Sequence, residues 1–252
     1  MFYLKIRSKN HTANNLRRVI RSTRRAVLRL GSTTPLEEIF PNTRNLADIL
    51  EINSVDACKI SGNKTLMKQA FDAAGVITAE WAPVSEEWDK FPAIIKHNHS
   101  SKGNGIYYIE NAEALREWLS SHNREHHIIE KYYTYNREYR LHVTVDGYFY
   151  TCRKMLPSNA TERWHRHDNN SVWIVEENPQ FDRPTNWDAI VEECVKALRA
   201  VGLDIAAIDI KVQSAKEGKD PKFIILETNS APSLGERTTE EYINKLNQIV
   251  NA

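Results

Sequence analysis

No apolar run in the 252-residue sequence approaches the roughly 20 residues that cross a bilayer. The opening "MFYLKIRSKNHT" lacks both the apolar segment and the small-residue cleavage site of a secretory signal. Cysteine is scarce: Cys58, Cys152 and Cys194 are odd in number, far apart and without a CxxC pair. That excludes a disulfide framework and a thiolate zinc site, and it fits a reducing compartment. A soluble, cytoplasmic protein with no membrane partner is the expectation. Internal repeats and low-complexity stretches are absent, as are a Walker A ending and a GxGxxG opening a helix, which excludes the two commonest phosphate-binding signatures. Acidic residues are missing from the first 36 positions, which carry nine basic ones.

What is present supports a packed core. Charged residues are 27% and hydrophobic ones 41%, a globular rather than a disordered balance. A strand at 2–7 is expected to precede a basic helix across 14–30. There Leu16, Val19, Ile20, Val27 and Leu30 recur at helical spacing, while Arg17, Arg18, Arg21, Arg24 and Arg25 cover much of the rest. Such a face either balances acids elsewhere or docks a polyanion or acidic substrate, with Arg17, Arg21 and Arg24 as the contact residues; the pattern leaves both open.

Further along, "NKTLMKQAFDAAGV" reads as a helix capped by Asn63 and stopped by Gly75. "FPAIIKHNHSSKGNGIYYIEN" reads as two strands around a polar turn, and "NAEALREWLSSH" as a second helix. "HIIEKYY" is an apolar strand ending in aromatics. "REYRLHVTVDGYFYTCRKML" is a hairpin turning at Asp146-Gly147. "TNWDAIVEECVKALRAVG" is a helix with Thr185 and Asp188 at capping-box positions. "IAAIDIKVQ" and "KFIILETN" form a last hairpin before a closing helix. Mixed antiparallel strands with interspersed helices give an α+β fold.

The last hairpin carries the chemistry. Strand alternation puts Phe223, Ile225, Glu227 and Asn229 on one face, and Asp209 shares a face with Ala207 and Lys211. Two carboxylates brought within about 4 Å repel by roughly 4 kcal/mol at an effective dielectric near 20, and a cation between them removes that cost. Asp209, Glu227 and Asn229 are all-oxygen donors suited to Mg²⁺ or Mn²⁺, whose shells are completed by water and substrate phosphates. Lys96 ends an apolar strand before a loop, 98–105, whose Lys102, Gly103 and Gly105 suit close approach to phosphate. His97 with His99, and His165 with His167, lack the further ligands a zinc site needs.

Taken in order over roughly residues 50–236, these pieces resemble the ATP-grasp superfamily, in particular its carboxylate–amine ligases, such as the D-alanine–D-alanine and ribosomal-protein glutamate ligases. The resemblance implies an ATP-grasp fold, two α+β lobes clasping ATP, after a short N-terminal α/β segment. It divides the chain into 1–62 with the basic helix, a small lobe at 63–130, and a large lobe with the metal site at 131–252. Lys64 and Lys96 match the two ATP-phosphate lysines; Glu130 and the backbone of Lys131, Tyr132 and Tyr133 match the adenine-binding segment. Glu138 matches the ribose-binding acid, and Arg140 a basic residue facing phosphate or intermediate. Asp209, Glu227 and Asn229 match the metal triad, with Glu227 bridging two ions. Arg140, Arg153 and Lys154 are then candidates to hold an acyl phosphate, and Arg163 or Arg166 to assist.

The implied reaction is Mg-dependent formation of an amide or peptide bond from a carboxylate and an amine through an acyl phosphate, with ADP as product. The substrate expected is an amino acid, a peptide or a protein terminus. Alternatives are a kinase of an anionic small molecule and a polyanion-binding protein that keeps the fold. Relatives that dimerise put a homodimer among the expectations. The segment before Lys64 is shorter than the α/β domain that precedes the grasp lobes in many relatives, and "SSKGNG" has fewer glycines than many of their loops.

Overall fold

The computed structural model describes all residues except 7–15, 18, 101–103, 161–163, 165, 167–170 and 215. Three sheets follow one another along the chain. The first is parallel, in the order β1 (Phe2–Ile6), β2 (Ala26–Leu30), β3 (Leu50–Ile52). A short helix α1 (Leu36–Ile39) lies between β2 and β3.

The basic helix expected at 14–30 is corrected here. Among the described residues only Leu16, Arg17 and Val19 are helical, and Ala26–Leu30 is the middle strand of the parallel sheet. Leu16 and Ile20 are buried as a helical stripe requires, but Val19 is exposed. A central parallel strand is covered on both faces and reads as a continuous apolar run, which "AVLRL" is. Its Arg29 is fully buried, ion-paired to Glu51 at 2.8 Å and donating from Nε and Nη2 to the Thr34 carbonyl. The arginines therefore do not share one helix face.

Two helices follow: α2 (Val55–Ser61) and α3 (Lys64–Ala74). Asn63 caps α3, its side chain accepting from the Leu66 N–H, and Gly75 ends it in the left-handed conformation. The second sheet has the order β4 (Trp81–Pro83), β7 (His127–Lys131), β5 (Ala93–His97), β6 (Ile106–Ile109), all antiparallel. Helix α4 (Ala112–Ser121) covers one side, burying Leu115 and Trp118 against Ala93, Ile95 and Ile129. Alternation then turns Ile94, Lys96 and Glu130 to the opposite side.

The third sheet is the largest, in the order β10 (Val172–Val175), β9 (Gly147–Met155), β8 (Arg137–Thr144), β11 (Ile205–Val212), β12 (Phe223–Asn229), again antiparallel. The β8–β9 hairpin turns at Asp146 and Gly147, where Gly147 has φ 126. Helix α5 (Trp187–Ala200) packs beneath this sheet, with Ile190, Cys194, Ala197 and Leu198 against Tyr139, Leu141, Ile208 and Ile210. The capping box expected at its start does not form: Asn186 is the N-cap, and the Thr185 hydroxyl donates to Asp220 instead.

Two helices cross between units. Met67 and Phe71 of α3 join the core under the large sheet rather than that of the four-stranded sheet. The last helix, α6 (Glu236–Asn251), packs Tyr242, Leu246 and Val250 on the N-terminal sheet. All three cysteines are buried, and none forms a disulfide among the described residues. No helix among the described residues is long and apolar enough to cross a membrane.

Candidate active site

A cavity of about 530 Å³ opens between the four-stranded and five-stranded sheets. Its floor is the upper face of the large sheet, and the strand register sets out the floor in rows. One row runs Ile224, Lys211, Glu138, Lys154, Trp173; the next runs Glu227, Asp209, Arg140, Cys152. Opposite charges alternate along the first row, the second sets two facing carboxylates beside Arg140, and the Trp173 ring lies 4.8 Å from the Arg140 guanidinium carbon and 5.1 Å from the Lys154 ammonium.

The β12 strand does not alternate as expected. Asp209 pairs with Glu227 but Ile210 with Ile225, so Leu226 is an extra residue in a bulge. Before it, Ile225 packs in the core while Ile224 faces the cavity; after it, Glu227 and Asn229 face the cavity with Leu226. Phe223 and Ile225 therefore lie on the core side, and Glu227 and Asn229 on the other. The bulge is what brings a carboxylate next to an apolar slot lined by Ala79, Ile94, Ile224 and Leu226.

Asp209 accepts from Arg140 with both oxygens, Nε to Oδ1 at 2.6 Å and Nη2 to Oδ2 at 2.8 Å. Burial opposes its charge, but Arg140 outweighs this and holds the carboxyl below its usual range. The Asn229 amide nitrogen lies between the two acids, 3.3 Å from Asp209 Oδ2 and 3.1 Å from Glu227 Oε1. Two facing carboxylates joined by an N–H donor form an oxygen cluster that a divalent cation fits once the amide turns its oxygen inward. Among the described residues no cluster of three His, Cys, Asp or Glu is placed to hold a metal, so any ion here depends on Asn229 and on ligand oxygens.

On the small-sheet side Glu130 is the hub. Its Oε2 accepts from Lys96 at 2.6 Å and its Oε1 is 3.1 Å from Lys68. Burial raises the carboxyl, and the two ammonium charges reverse this and hold it at about 2. Lys96 is raised despite burial because Glu130 stabilises its charge, whereas burial lowers Lys68. Lys64 donates to the Ser100 carbonyl at 2.7 Å, and burial lowers it in spite of nearby Glu227. Lys131, Tyr132 and Tyr133 line the adjoining wall, with the Tyr132 N–H donating to the Pro92 carbonyl at 2.8 Å.

The structural comparison decides the fold. A D-alanine–D-alanine ligase from Bacillus anthracis matches 99% of this chain and 97% of its own at 12% identity, with a TM-score of 0.61. An ATP-grasp ligase, PsnB, solved with a minimal precursor, matches 89% of this chain and 77% of its own at 18% identity, TM-score 0.57. The chain has the ATP-grasp fold. A biotin carboxylase from Campylobacter jejuni in complex with β,γ-ATP is also similar, at 18% identity and TM-score 0.62, over 89% of this chain and 54% of its own. No protein-family model matches the sequence, and comparison with curated proteins gives no match.

Within the ATP-grasp cavity, Lys64, Lys96, Glu130, Lys131, Tyr133, Glu138, Arg140, Lys154, Asp209, Glu227 and Asn229 all line one space. Glu138 is nearly buried, 3.5 Å from Lys154 and 3.6 Å from Arg166. Arg153 is a correction: it pairs across the sheet with Tyr139 on the core side, donates to the Gln180 carbonyl and lies 3.5 Å from Asp182. Strand alternation excludes it from the face that Lys154 occupies. Gly105 does not line the cavity; at φ 63 it turns the β5–β6 hairpin, its carbonyl accepting from His97. Lys102, Gly103, Arg163, His165 and His167 lie outside the described residues.

The structure adds Lys68, Lys211 and Trp173 to this neighbourhood. Lys68 reads in the sequence as one more polar helix position, and only its ion pair with Glu130 and its fully buried state reveal it. Lys211 shares its strand face with Asp209, which the alternation already gives; burial lowers it to about 8. Cys58 also lines the cavity, but burial pushes its thiol up to about 11, so it stays protonated at neutral pH.

Proposed function

We propose that the protein is an ATP-dependent carboxylate–amine ligase working through an acyl phosphate. The observation that carries this reading is the charge of the cavity: among the described residues seven lysines and arginines line it against four carboxylates. That surplus suits a triphosphate and a carboxylate substrate, and the apolar slot beside residues 131–133 suits a base. ATP use by relatives of the same fold supports it, since the biotin carboxylase was solved with an ATP analogue.

In this account the substrate carboxylate oxygen attacks the γ-phosphorus, the bond from that phosphorus to the β,γ-bridging oxygen breaks, and ADP leaves. An amine then attacks the acyl carbon. The bond between that carbon and the phosphate oxygen breaks, inorganic phosphate leaves and the amine gives up a proton. Lys64 and Lys96 would neutralise charge that builds on the transferred group, and Arg140 and Lys154, steadied by Trp173, would hold the acyl phosphate. Asp209, Glu227 and Asn229 would hold Mg²⁺ or Mn²⁺, as one or two ions, which supplies charge neutralisation to the phosphates. No covalent nucleophile from the protein is needed.

The division into 1–62, 63–130 and 131–252, a cytoplasmic location and a substrate that is an amino acid, peptide or protein terminus belong to the same proposal. The test is to incubate the protein with MgATP, candidate carboxylates and hydroxylamine. A ligase forms ADP and a hydroxamate, and Glu227→Gln abolishes both. A kinase leaves a phosphorylated acceptor without hydroxamate, and that product would overturn the ligase reading.

A further inference from the structure

Lys211 is a buried cation, 7% exposed, that makes no ion pair among the described residues. Its protein contacts are the Tyr133 carbonyl at 3.5 Å and the Tyr132 ring, with the centroid 4.6 Å away. An ammonium has three donors, so at least one N–H is left for a ligand. The side chain reaches the cavity from β11, next to Ile224 at the apolar slot and two residues beyond Asp209 of the acid cluster. It therefore stands where a nucleotide passes from base to phosphate, which is its sugar.

Glu138 is the directly opposed residue on β8. Its two oxygens are approached by Lys154, from β9, and by Arg166, at 3.5 and 3.6 Å, and Lys211 forms no ion pair with it. A hydroxyl can accept from an ammonium and donate to a carboxylate at once, so it completes both groups. We infer that Lys211 is a specificity-determining residue that donates to the vicinal diol of a ribonucleotide, with Glu138 accepting from the same diol. This rests on the nucleotide-binding reading above and on the ribose contact that the resemblance implies for Glu138; what it adds is the Lys211 donor as a second determinant of ribose over deoxyribose.

The experiment is titration calorimetry with Mg²⁺ and ADP, 2′-deoxy-ADP or 3′-deoxy-ADP, none of which turns over in the absence of a phosphoryl donor. Wild type should bind ADP about 10-fold more tightly than at least one deoxy form, as expected for loss of a hydrogen bond to a charged group. Lys211→Met should weaken ADP by a similar factor and reduce that preference, the Glu138 contact remaining, while Lys211→Arg keeps it. A purely structural lysine could change ADP affinity but would leave the ratio intact, so an unchanged ratio in a folded Lys211→Met protein overturns the inference. Wild type that binds none of the three overturns the nucleotide reading itself, and the inference falls with it.

Discussion

Glu130 holds one lysine on each carboxylate oxygen, and the pair differ in what they can do. Lys96 borders the cavity, whereas Lys68 is fully buried, its Nζ 2.5 Å from the Thr78 hydroxyl. Lys68 thus leaves the Glu130–Lys96 pair with a net positive charge to offer a ligand. Lys68→Met should cost about 3 kcal/mol in urea denaturation, because a buried charge loses a partner, and adding Glu130→Gln should recover part of it.

His142 gives a pH test. Burial and the neighbouring Arg140 lower it to about 3, and it shares a hydrogen bond of 3.1 Å with the Tyr242 hydroxyl. The unfolded chain takes up a proton below its ordinary value near 6.5 while the folded one does not. Stability present above that pH is therefore lost as pH falls toward 3, by at most about 1.4 kcal/mol per unit. His142→Asn should flatten the wild-type slope of urea stability between about pH 6.5 and 5; an unchanged slope would contradict the assignment. At this scale the acid cluster and Lys64 were readable because their types imply ligands, whereas Lys68 was not, since burial is a property of packing.

Among the elements, strand β9 offers the sharpest contrast, since Arg153 and Lys154 are neighbours in sequence and opposites in space. Lys154→Met should weaken nucleotide-dependent stabilisation, and Arg153→Ala should leave that increment unchanged while lowering basal stability. Thermal unfolding with and without MgADP reads both. Helix starts at Asn63 and Asn111 and the Asp146-Gly147 turn were legible, because capping and tight turns are decided locally. The β2 strand and the β12 bulge were not. "AVLRL" follows apolar residues that also fit a helical period, and the single residue Leu226 reverses a face without any local signal.

For the whole molecule, Asn53 ties the N-terminal sheet to the large one. Fully buried at φ 63, its side chain donates to the Arg29 and Ile205 carbonyls and accepts from the Asp204 and Ile205 N–H groups. Asn53→Ala should cost about 3–5 kcal/mol, through lost hydrogen bonds and a left-handed alanine, and urea denaturation should show it. The central claim, a Mg-nucleotide site on this fold, is tested most directly by thermal unfolding with and without Mg²⁺ and a non-hydrolysable ATP analogue. At 100 times its Kd the analogue adds about 2.7 kcal/mol, a rise of roughly 5–11 °C for a chain of this size. The account predicts a rise of that order that requires Mg²⁺ and is lost in Glu227→Gln. No rise at saturating analogue, or an equal rise in Glu227→Gln, would contradict it.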